Sequence, residues 1–380
     1  MRDAVIVEAV RTPVGKRNGG LSGVHPADLS AHVLTALAQR SGLDPAVVDD
    51  VVWGCVGQAG EQTADIARTA VLAAGWPESV PGVTVDRQCG SSQQAVHFAA
   101  AGVISGQYDV VVAGGVESMS RVPMGSTAMG QDPYGPRYLA RYGGYPNQGI
   151  GAEMIARRWG FTRTQLDEFS LGSHEKAAAA QDEGRFDAQI APVTLQDGTV
   201  VAKDEGIRRG GTLESLAGLR TAFAEDGTIT AGNSSQISDG SAALLITTSD
   251  RAAELGLRPV ARVHTAVLAA ADPVIMLTAP IDATAKALAR SGLTIGEIGA
   301  FEVNEAFAPV PLAWLADIGA DAKALNPDGG AIALGHPLGG SGARLMTTLV
   351  HHMRDNGIRY GLQTMCEGGG QANATILELL

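Results

Sequence analysis

The feature that most constrains the fold of this 380-residue chain is an internal repeat. The sequence RSGL at residues 40–43 recurs at residues 290–293, and an alanine-rich stretch typical of a helix precedes each copy. At the same separation of 250 residues, the strand-like segment 50–54 (DVVWG) corresponds to segment 300–304 (AFEVN). A separation that holds for two successive elements indicates duplication. We therefore predict two homologous halves.

The order of elements along the chain predicts an α/β fold. Strand-like runs such as 4–7 and 110–113 alternate with helix-like stretches such as 27–40 and 91–104, a pattern that favours mostly parallel sheets. Between residues 119 and 235 the pattern changes to turns rich in Tyr, Pro and Gly, followed by charged amphipathic helices. A structureless stretch of that length would be unusual, so this part reads as an inserted domain or a long lid.

Length and composition agree with this organisation, because 380 residues with 45% hydrophobic side chains can bury more than one core. An apolar strand pattern resumes at residues 238–248, which indicates a return to the first half. We expect a first half at 1–118 that residues 236–257 complete, a loop domain at 119–235 and a second half at 258–380.

Charge and cysteine content restrict the class of protein. A net charge of −12 and a pI near 5.1 argue against nucleic acid and anionic membranes as partners, although a small anionic substrate needs only a local basic patch. The three cysteines lie far apart without a CxxC pair, which argues against a disulfide framework or a zinc site. No apolar run approaches the roughly 20 residues of a membrane span, and the first residues read as a strand rather than a leader. We expect a cytoplasmic metabolic enzyme.

Cys89 lies where an extended run, VTVDRQ, meets a turn and a helix whose first residues are small and polar. Unpaired N–H groups and the macrodipole at the start of a helix favour a thiolate over a thiol. The alternative is a buried structural cysteine, which the local sequence alone favours. Cys55, inside the strand-like VVWGCVG, lacks a helix start and is assigned to the core.

His336 occupies GGAIALGHPLGGSGAR, where an apolar segment ends in a glycine-flanked His-Pro. Glycines allow close approach of backbone and ligand, and Pro337 restricts the conformation of His336, so the imidazole should be held on a defined loop. The alternative is an exposed loop histidine. No Lys-Ser/Thr follows at P-loop spacing and no clean GxGxxG occurs, which disfavours nucleotide-hydrolysing and dinucleotide-dependent enzymes.

Two further positions stand at predicted strand ends. Cys366 opens CEGGG, whose glycines expose N–H groups that can hold an oxyanion, although a plain turn cysteine is the alternative. Asn304 interrupts an apolar run in FEVNEAFAPV, where it can bind a ligand or merely cap the next helix. These positions, Cys89 and His336 fall at corresponding sheet edges of the two halves, so they can converge on one cleft.

The chain resembles the thiolase family in four blocks: DRQCGSS around Cys89, NEAF from Asn304, GHPLGGSGAR around His336 and the CxGGG that starts at Cys366. With TITAGNSSQISDG at residues 228–240 they follow the family's order, and the resemblance covers essentially the whole chain. It implies the thiolase fold, with two similar βαβαβαββ halves in a five-layered αβαβα core and an inserted loop domain. It also implies an acyltransferase that exchanges acyl groups between a cysteine and coenzyme A.

The resemblance also assigns a role to each position. Cys89 is expected to be the nucleophile that becomes acylated, His336 the base that activates it and Cys366 the second acid/base. The enolate oxygen would be held by His336 and by a water on Asn304. The backbone N–H groups of Cys89 and Gly368 would hold the tetrahedral adduct.

Coenzyme A is implied as a co-substrate, with no permanently bound cofactor and no metal. Arg208 in DEGIRRG would meet its nucleotide end and Ser235 its pantetheine arm, although a solvated basic pair is the alternative for Arg208 and Arg209. The family further implies a homodimer or homotetramer whose ligands are acyl-CoA and CoA, without nucleic acid and without membrane insertion.

Departures from the family pattern bear on the substrate. Where short-chain synthetic thiolases resemble one another in a His-Met pair, this chain has Asn147 and Gln148. Residues 276–284, MLTAPIDAT, replace a commoner MGxGPxPA, and CEGGGQAN replaces a commoner CIGGGMG. These variants look like degradative thiolases, including actinobacterial ones of sterol side-chain breakdown. They favour thiolytic cleavage of a longer or bulkier 3-ketoacyl-CoA in fatty-acid or sterol degradation.

Two other protein classes share the general pattern. A ketosynthase has this fold and a nucleophilic cysteine, but it would be expected to carry His at the place of Asn304 and to lack Cys366. A non-catalytic, thiolase-like lipid-binding protein would need no complete set of reactive groups. The presence of Cys89, His336, Asn304 and Cys366 argues against both classes.

Overall fold

The computed structural model describes residues 2–144 and 147–380. In this part of the chain the strands are β1 (Val5–Arg11), β2 (Gly15–Lys16), β3 (Asp50–Gly54), β4 (Gly82–Val85), β5 (Val110–Ser118), β6 (Val193–Thr194), β7 (Val200–Val201), β8 (Ser238–Thr247), β9 (Ala261–Ala270), β10 (Ala300–Val303), β11 (Tyr360–Glu367) and β12 (Gln371–Leu379). The α-helices there are α1 (Pro26–Ser41), α2 (Ile66–Ala73), α3 (Ser91–Ser105), α4 (Gly135–Tyr142), α5 (Gln148–Trp159), α6 (Arg163–Asp182), α7 (Leu213–Ala217), α8 (Ser249–Glu254), α9 (Ala279–Ser291), α10 (Pro309–Ile318), α11 (Ala331–Leu334) and α12 (Leu338–Asn356).

The order of strands in the large sheet displays the duplication. The order is β10-β11-β12-β9-β1-β8-β5-β3-β4, with β2 beside β8. Read outward from the centre, β9, β12, β11 and β10 of the second half correspond to β1, β8, β5 and β3 of the first. The pairings correspond too, because β3 is parallel to β5 as β10 is to β11, and β5 is antiparallel to β8 as β11 is to β12. The predicted two halves are confirmed.

The prediction of mostly parallel sheets is wrong. Among pairs of the strands named above, only β3–β4, β3–β5 and β10–β11 are parallel, and the other neighbours run antiparallel. A short turn at residues 368–370 joins β11 to β12, and so short a connection can link only antiparallel strands. The equivalent strand of the first half, β8, is separated from β5 by the inserted region, so its direction could not be inferred from a local alternation.

Helices cover the sheet in the layers that the resemblance implied. Helices α3 and α12 pack against each other and against the inner face, where Val96, Val103, Met346 and Leu349 share one buried cluster with Val111. On the outer faces, α1 and α2 cover the first half and α9 and α10 cover the second. The arrangement is the predicted five-layered αβαβα core.

Contact between the two central helices requires glycine. A Cβ atom built on Gly342 of α12 would lie 2.3 Å from the backbone nitrogen of Gln93 in α3, which no side chain tolerates. A hydrogen bond from the Ala343 amide to the Ser92 hydroxyl, 2.9 Å, fixes the two helices at the same level. The beginnings of α3 and α12 therefore meet at one end of the central layer.

The segment between β5 and β8 contains α4 to α7 and the small β6–β7 sheet. It is attached to the first half by a buried ion pair in which Arg11 of β1 binds both carboxylate oxygens of Asp204, at 2.7 and 3.0 Å. We propose the division into residues 1–118 with 236–257, 119–235 and 258–380 as three structural units. None of the described helices combines the length and apolarity that crossing a bilayer requires.

Replacing Asp204 by Ala should lower the free energy of unfolding by about 3–5 kcal/mol, because the guanidinium of Arg11 would stay buried without its counter-charge. Urea denaturation followed by circular dichroism measures the change. Asp182→Ala is the matched control, since Asp182 forms a similar bidentate pair with Arg209 on the surface and should leave the unfolding midpoint unchanged. Equal shifts in the two variants would contradict the structural role of the buried pair.

Candidate active site

Cys89 lies on a tight turn between β4 and α3. The turn is fixed by hydrogen bonds from the Gln88 amide to Asp86 Oδ1, 2.7 Å, and from the Arg87 amide to Ser91 Oγ, 2.9 Å. Gln88 has a positive φ of 49°, a conformation that side chains rarely adopt. This strained residue forms the turn after β4, and Cys89 follows it immediately before Gly90, the N-cap of α3.

Burial dominates the ionisation of this cysteine. Cys89 is 5% exposed, and burial raises the pKa of its thiol to about 12, with a further increase from the nearby Glu367 carboxyl. Burial therefore outweighs the effect of the helix start, which was expected to favour the thiolate. A neutral thiol in this position needs a base to become a nucleophile.

His336 is held by its own backbone as well as by its ring. It follows Gly335, whose φ is 98° and whose missing side chain leaves room for the Ser238 hydroxyl; a Cβ there would lie 2.3 Å from Ser238 Oγ. The His336 amide donates to Ser238 Oγ at 3.1 Å and to the carbonyl of Gln236 at 3.3 Å. The imidazole is therefore fixed at the start of α12, as the glycine-flanked His-Pro predicted.

The hydrogen bonds define the tautomer of His336. Its Nδ1 lies 2.6 Å from Ser341 Oγ, and the single hydroxyl hydrogen of Ser341 is donated to the Pro337 carbonyl at 2.9 Å. Ser341 Oγ must therefore accept a hydrogen from Nδ1, which leaves Nε2 unprotonated and able to accept a hydrogen. Burial, assisted by the charge of Arg344, lowers the pKa of His336 to about 3, so the ring is neutral.

Asn304 connects the histidine with the second thiol. Its Nδ2 lies 3.4 Å from His336 Nε2, and its side chain also hydrogen-bonds the thiol of Cys366. The amide oxygen Oδ1 is buried and has no partner among the described residues. A buried carbonyl oxygen in this state is an acceptor for a water or a ligand hydrogen.

Cys366 lies near the end of β11, a strand of the second half. It is 1% exposed, and burial raises the pKa of its thiol well above the ordinary value. The electrostatic effect of Cys89 raises that pKa further. Gly368, two residues later, lies against the turn that carries Cys89. A Cβ built on Gly368 would lie 2.9 Å from Gln88 Oε1. The structure thus brings Cys89, Cys366, Asn304, His336 and Gly368 together from both halves.

The predicted coenzyme A contacts lie outside this group. Arg208 is exposed and lines a pocket of about 320 Å³, where its amide donates to Nδ1 of the neutral His174 at 3.1 Å. Its neighbour Arg209 is paired with Asp182, so only Arg208 of the two lacks an ion-pair partner within residues 2–144 and 147–380. Ser235 lies beside the NEAF segment, where its amide donates to the Ala306 carbonyl at 2.9 Å.

Two residues of this site were missed by sequence reasoning. Ser341, which fixes the tautomer of His336, lies inside the GHPLGGSGAR block, and its spacing of five residues from His336 was the signal. Glu117, the single carboxyl near the end of β5, accepts hydrogen bonds from the amides of Val56, Gly57 and Gly339 at 2.8–3.0 Å. It thereby ties the first half to the start of α12. The presence of one charged residue in the strand-like run VVVAGGVES was the signal in the sequence.

Cys55 is a core residue, as predicted. It is fully buried in the apolar cluster of the first half, and burial raises the pKa of its thiol well above its usual value. Among the described residues, no group of three His, Cys, Asp or Glu side chains is arranged to hold a metal ion.

Comparison with known proteins agrees with this geometry. Residues 4–250 match the model of the thiolase N-terminal domain and residues 257–379 that of the thiolase C-terminal domain. The chain is 50% identical to the steroid 3-ketoacyl-CoA thiolase FadA6 of Mycobacterium tuberculosis, over all of this chain and 95% of that protein. It is 46% identical to a 3-ketoacyl-CoA thiolase of Pseudoalteromonas translucida, over all of this chain and 99% of that protein.

A solved structure shares the fold over the same extent. The crystal structure of the Bacillus anthracis acetyl-CoA acetyltransferase superposes with a TM-score of 0.93 at 38% identity, covering all of this chain and 99% of that one. The predicted likeness to degradative actinobacterial members is confirmed by the mycobacterial relative. The family models together span nearly the whole chain. The chain belongs to the thiolase family.

Proposed function

We propose that this protein cleaves 3-ketoacyl-CoA esters with coenzyme A, giving acetyl-CoA and a shortened acyl-CoA through an acyl-cysteine intermediate. The observation that carries the proposal is the pairing of two buried thiols, Cys89 and Cys366, from different halves of the molecule. Beside them stands His336, whose Nε2 is unprotonated and can accept a proton. One nucleophile, one base and a second acid/base group are what this reaction needs.

In the first half-reaction the Cys89 thiol gives its proton to Nε2 of His336, and the thiolate attacks the 3-keto carbon. The bond between C2 and C3 then breaks, leaving the acyl group on Cys89 and the enolate of acetyl-CoA. The thiol of Cys366 protonates C2 of that enolate. Burial supports this order, because both thiols are neutral at rest and Cys366 therefore holds a proton to donate.

In the second half-reaction the Cys366 thiolate takes the proton of incoming coenzyme A, whose sulfur attacks the thioester on Cys89. Cys89 leaves as a thiolate and recovers its proton from the His336 imidazolium. Both cysteines and the histidine return to their neutral states, so the cycle closes. The same steps in reverse describe the Claisen condensation.

Two sets of donors would stabilise the charges that develop on oxygen. The enolate oxygen is held by His336 and by a water bound to Asn304, a role supported by the unpartnered Oδ1 of that residue. The tetrahedral adduct is held by the amides of Cys89 and Gly368, whose closeness is supported by the contact between Gly368 and Gln88. One such donor typically contributes about 3–4 kcal/mol of barrier reduction.

Coenzyme A enters as a co-substrate held at two points, with its phosphates near Arg208 and its pantetheine arm along Ser235. The exposed guanidinium of Arg208 beside an open pocket supports the first contact. The position of Ser235 next to the NEAF segment supports the second. No other cofactor enters the scheme.

The acyl group is proposed to be larger than acetoacetyl, from a fatty acid or a steroid side chain. The thiol of Cys366 borders an apolar cluster with Met276 and Phe307, against which Met154 and Phe223 pack. The names of the relatives agree with this proposal, since one is called a steroid 3-ketoacyl-CoA thiolase and another a 3-ketoacyl-CoA thiolase. We further propose a homodimer or homotetramer acting in the cytoplasm.

A thiolysis assay across 3-ketoacyl-CoA esters of increasing size tests the substrate class. We expect kcat/KM to rise by about fourfold for each added methylene until the pocket is filled, because each buried methylene contributes about 0.8 kcal/mol. The absorbance of the magnesium enolate reports the rate. If acetoacetyl-CoA were the best substrate of the series, the proposed degradative role would be wrong.

Replacing Cys366 by Ala should slow both half-reactions by about 10²–10⁴-fold, because the group that protonates the enolate and deprotonates coenzyme A is lost. The direct readout is exchange of the acetyl-CoA methyl protons for deuterium, measured by NMR. Cys55→Ala is the matched control, a buried cysteine whose loss should leave the exchange intact. Wild-type exchange in a folded Cys366→Ala protein would assign the acid/base role to another group.

A further inference from the structure

Glu367 is a buried acid that the proposed mechanism does not use. It follows Cys366 at the end of β11 and is fully buried. Neither of its carboxylate oxygens has a hydrogen-bond partner among the described residues. A charged carboxylate in such a place is costly, whereas a neutral carboxyl is far less so. Its charge state is therefore the property to consider.

The side chain of Glu367 reaches from the second half to the turn of the first half that carries Cys89. A Cβ built on Gly90 would lie 1.9 Å from Glu367 Oε1, so the carboxyl packs directly on the backbone of the residue after Cys89. Glu367 is thus covalently next to one reactive cysteine and in contact with the neighbour of the other. Only glycine at position 90 permits this approach.

The groups around the carboxyl leave it without a direct counter-ion. On the turn that carries Cys89, Arg87 donates to Gln371 Oε1 at 3.0 Å rather than to the Glu367 carboxyl, and Asp86 adds a like charge. From β12, Asn373 donates to the Gly90 carbonyl at 3.1 Å, and its own Oδ1 is unpartnered. The two thiols complete the surroundings.

The electrostatics follow from this geometry. Burial raises the pKa of Glu367 to about 8; Arg87 opposes the shift and Asp86 adds to it. After burial, Glu367 is the strongest influence that raises the pKa of Cys89, and its charge also raises the pKa of Cys366. A neutral Glu367 therefore permits thiolate formation that an anionic one opposes.

We propose that Glu367 is a positioning residue of the site, whose carboxyl is neutral during turnover and, when it ionises, suppresses thiolate formation at both cysteines. The inference rests on the proposed roles of Cys89 and Cys366. It makes the reactivity of Cys89 depend on the protonation of a residue that has no part in the proposed chemical steps.

The rate of alkylation of Cys89 by iodoacetamide, measured between about pH 6 and pH 10 by peptide mass spectrometry, tests the inference. The wild-type rate should rise less steeply above about pH 8, where Glu367 ionises. Glu367→Gln and Glu367→Ile should both remove this change of slope, giving rates about five- to tenfold above wild type at high pH and within about twofold below pH 7.

Glu302→Gln is the matched control. Glu302 is equally buried, has two unpartnered oxygens, and burial raises its pKa to about 8, but its strongest charged neighbour is Arg344 of α12, whereas that of Glu367 is Arg87 beside Cys89. This variant should keep the wild-type profile. Thermal unfolding of each variant reports whether the fold is retained.

Profiles of the Glu367 variants that coincide with wild type, or differ from it by one constant factor at every pH, would overturn the inference and leave a packing role. Slope changes that also disappear in Glu302→Gln would overturn it as well. A wild-type Cys89 that reacts no faster than Cys55 would remove the proposed nucleophile together with the inference. Coincident profiles with a reactive Cys89 would remove the inference alone.

Discussion

The close contact between α3 and α12 is the constraint on which the rest of the structure depends. Cys89 stands just before the first of these helices and His336 just before the second, so the distance between the proposed nucleophile and the proposed base is set by how closely the helices pack. Gly342 allows that packing, because any side chain there would collide with the backbone at Gln93. Glu117 adds a fixed link between the halves by binding the amide of Gly339 at the start of α12.

Burial determines how these groups can react. In the resting site burial keeps both thiols protonated and His336 neutral, so charge appears only when a proton moves between residues. Ser341 prepares the histidine for that transfer by fixing the hydrogen on Nδ1. Asn304 joins the base to the second thiol and offers a free carbonyl oxygen.

Much of this could be predicted from the sequence, and the exceptions have physical reasons. The repeat of residues 40–43 at 290–293 predicted the two halves because duplicated helices and strands keep their spacing. Strand direction was mispredicted, since β8 lies next to β5 in space but beyond the inserted region in sequence. The effect of a helix start on Cys89 is local and could be inferred from the sequence, whereas the opposing effect of burial depends on packing from both halves. Glu367 shows the same limit: its contact with Gly90 joins residues that no local pattern connects.

The central claim is that the two halves build one site in which Cys89 carries the acyl group. Its most direct test is to mix the protein with a 3-ketoacyl-CoA in the absence of coenzyme A, quench in acid and map the modified peptide by mass spectrometry. The account predicts one acyl group per chain, on the peptide that contains Cys89, and its removal when coenzyme A is added. An acyl group on Cys55 or Cys366, or full turnover by a Cys89→Ala protein, would contradict it.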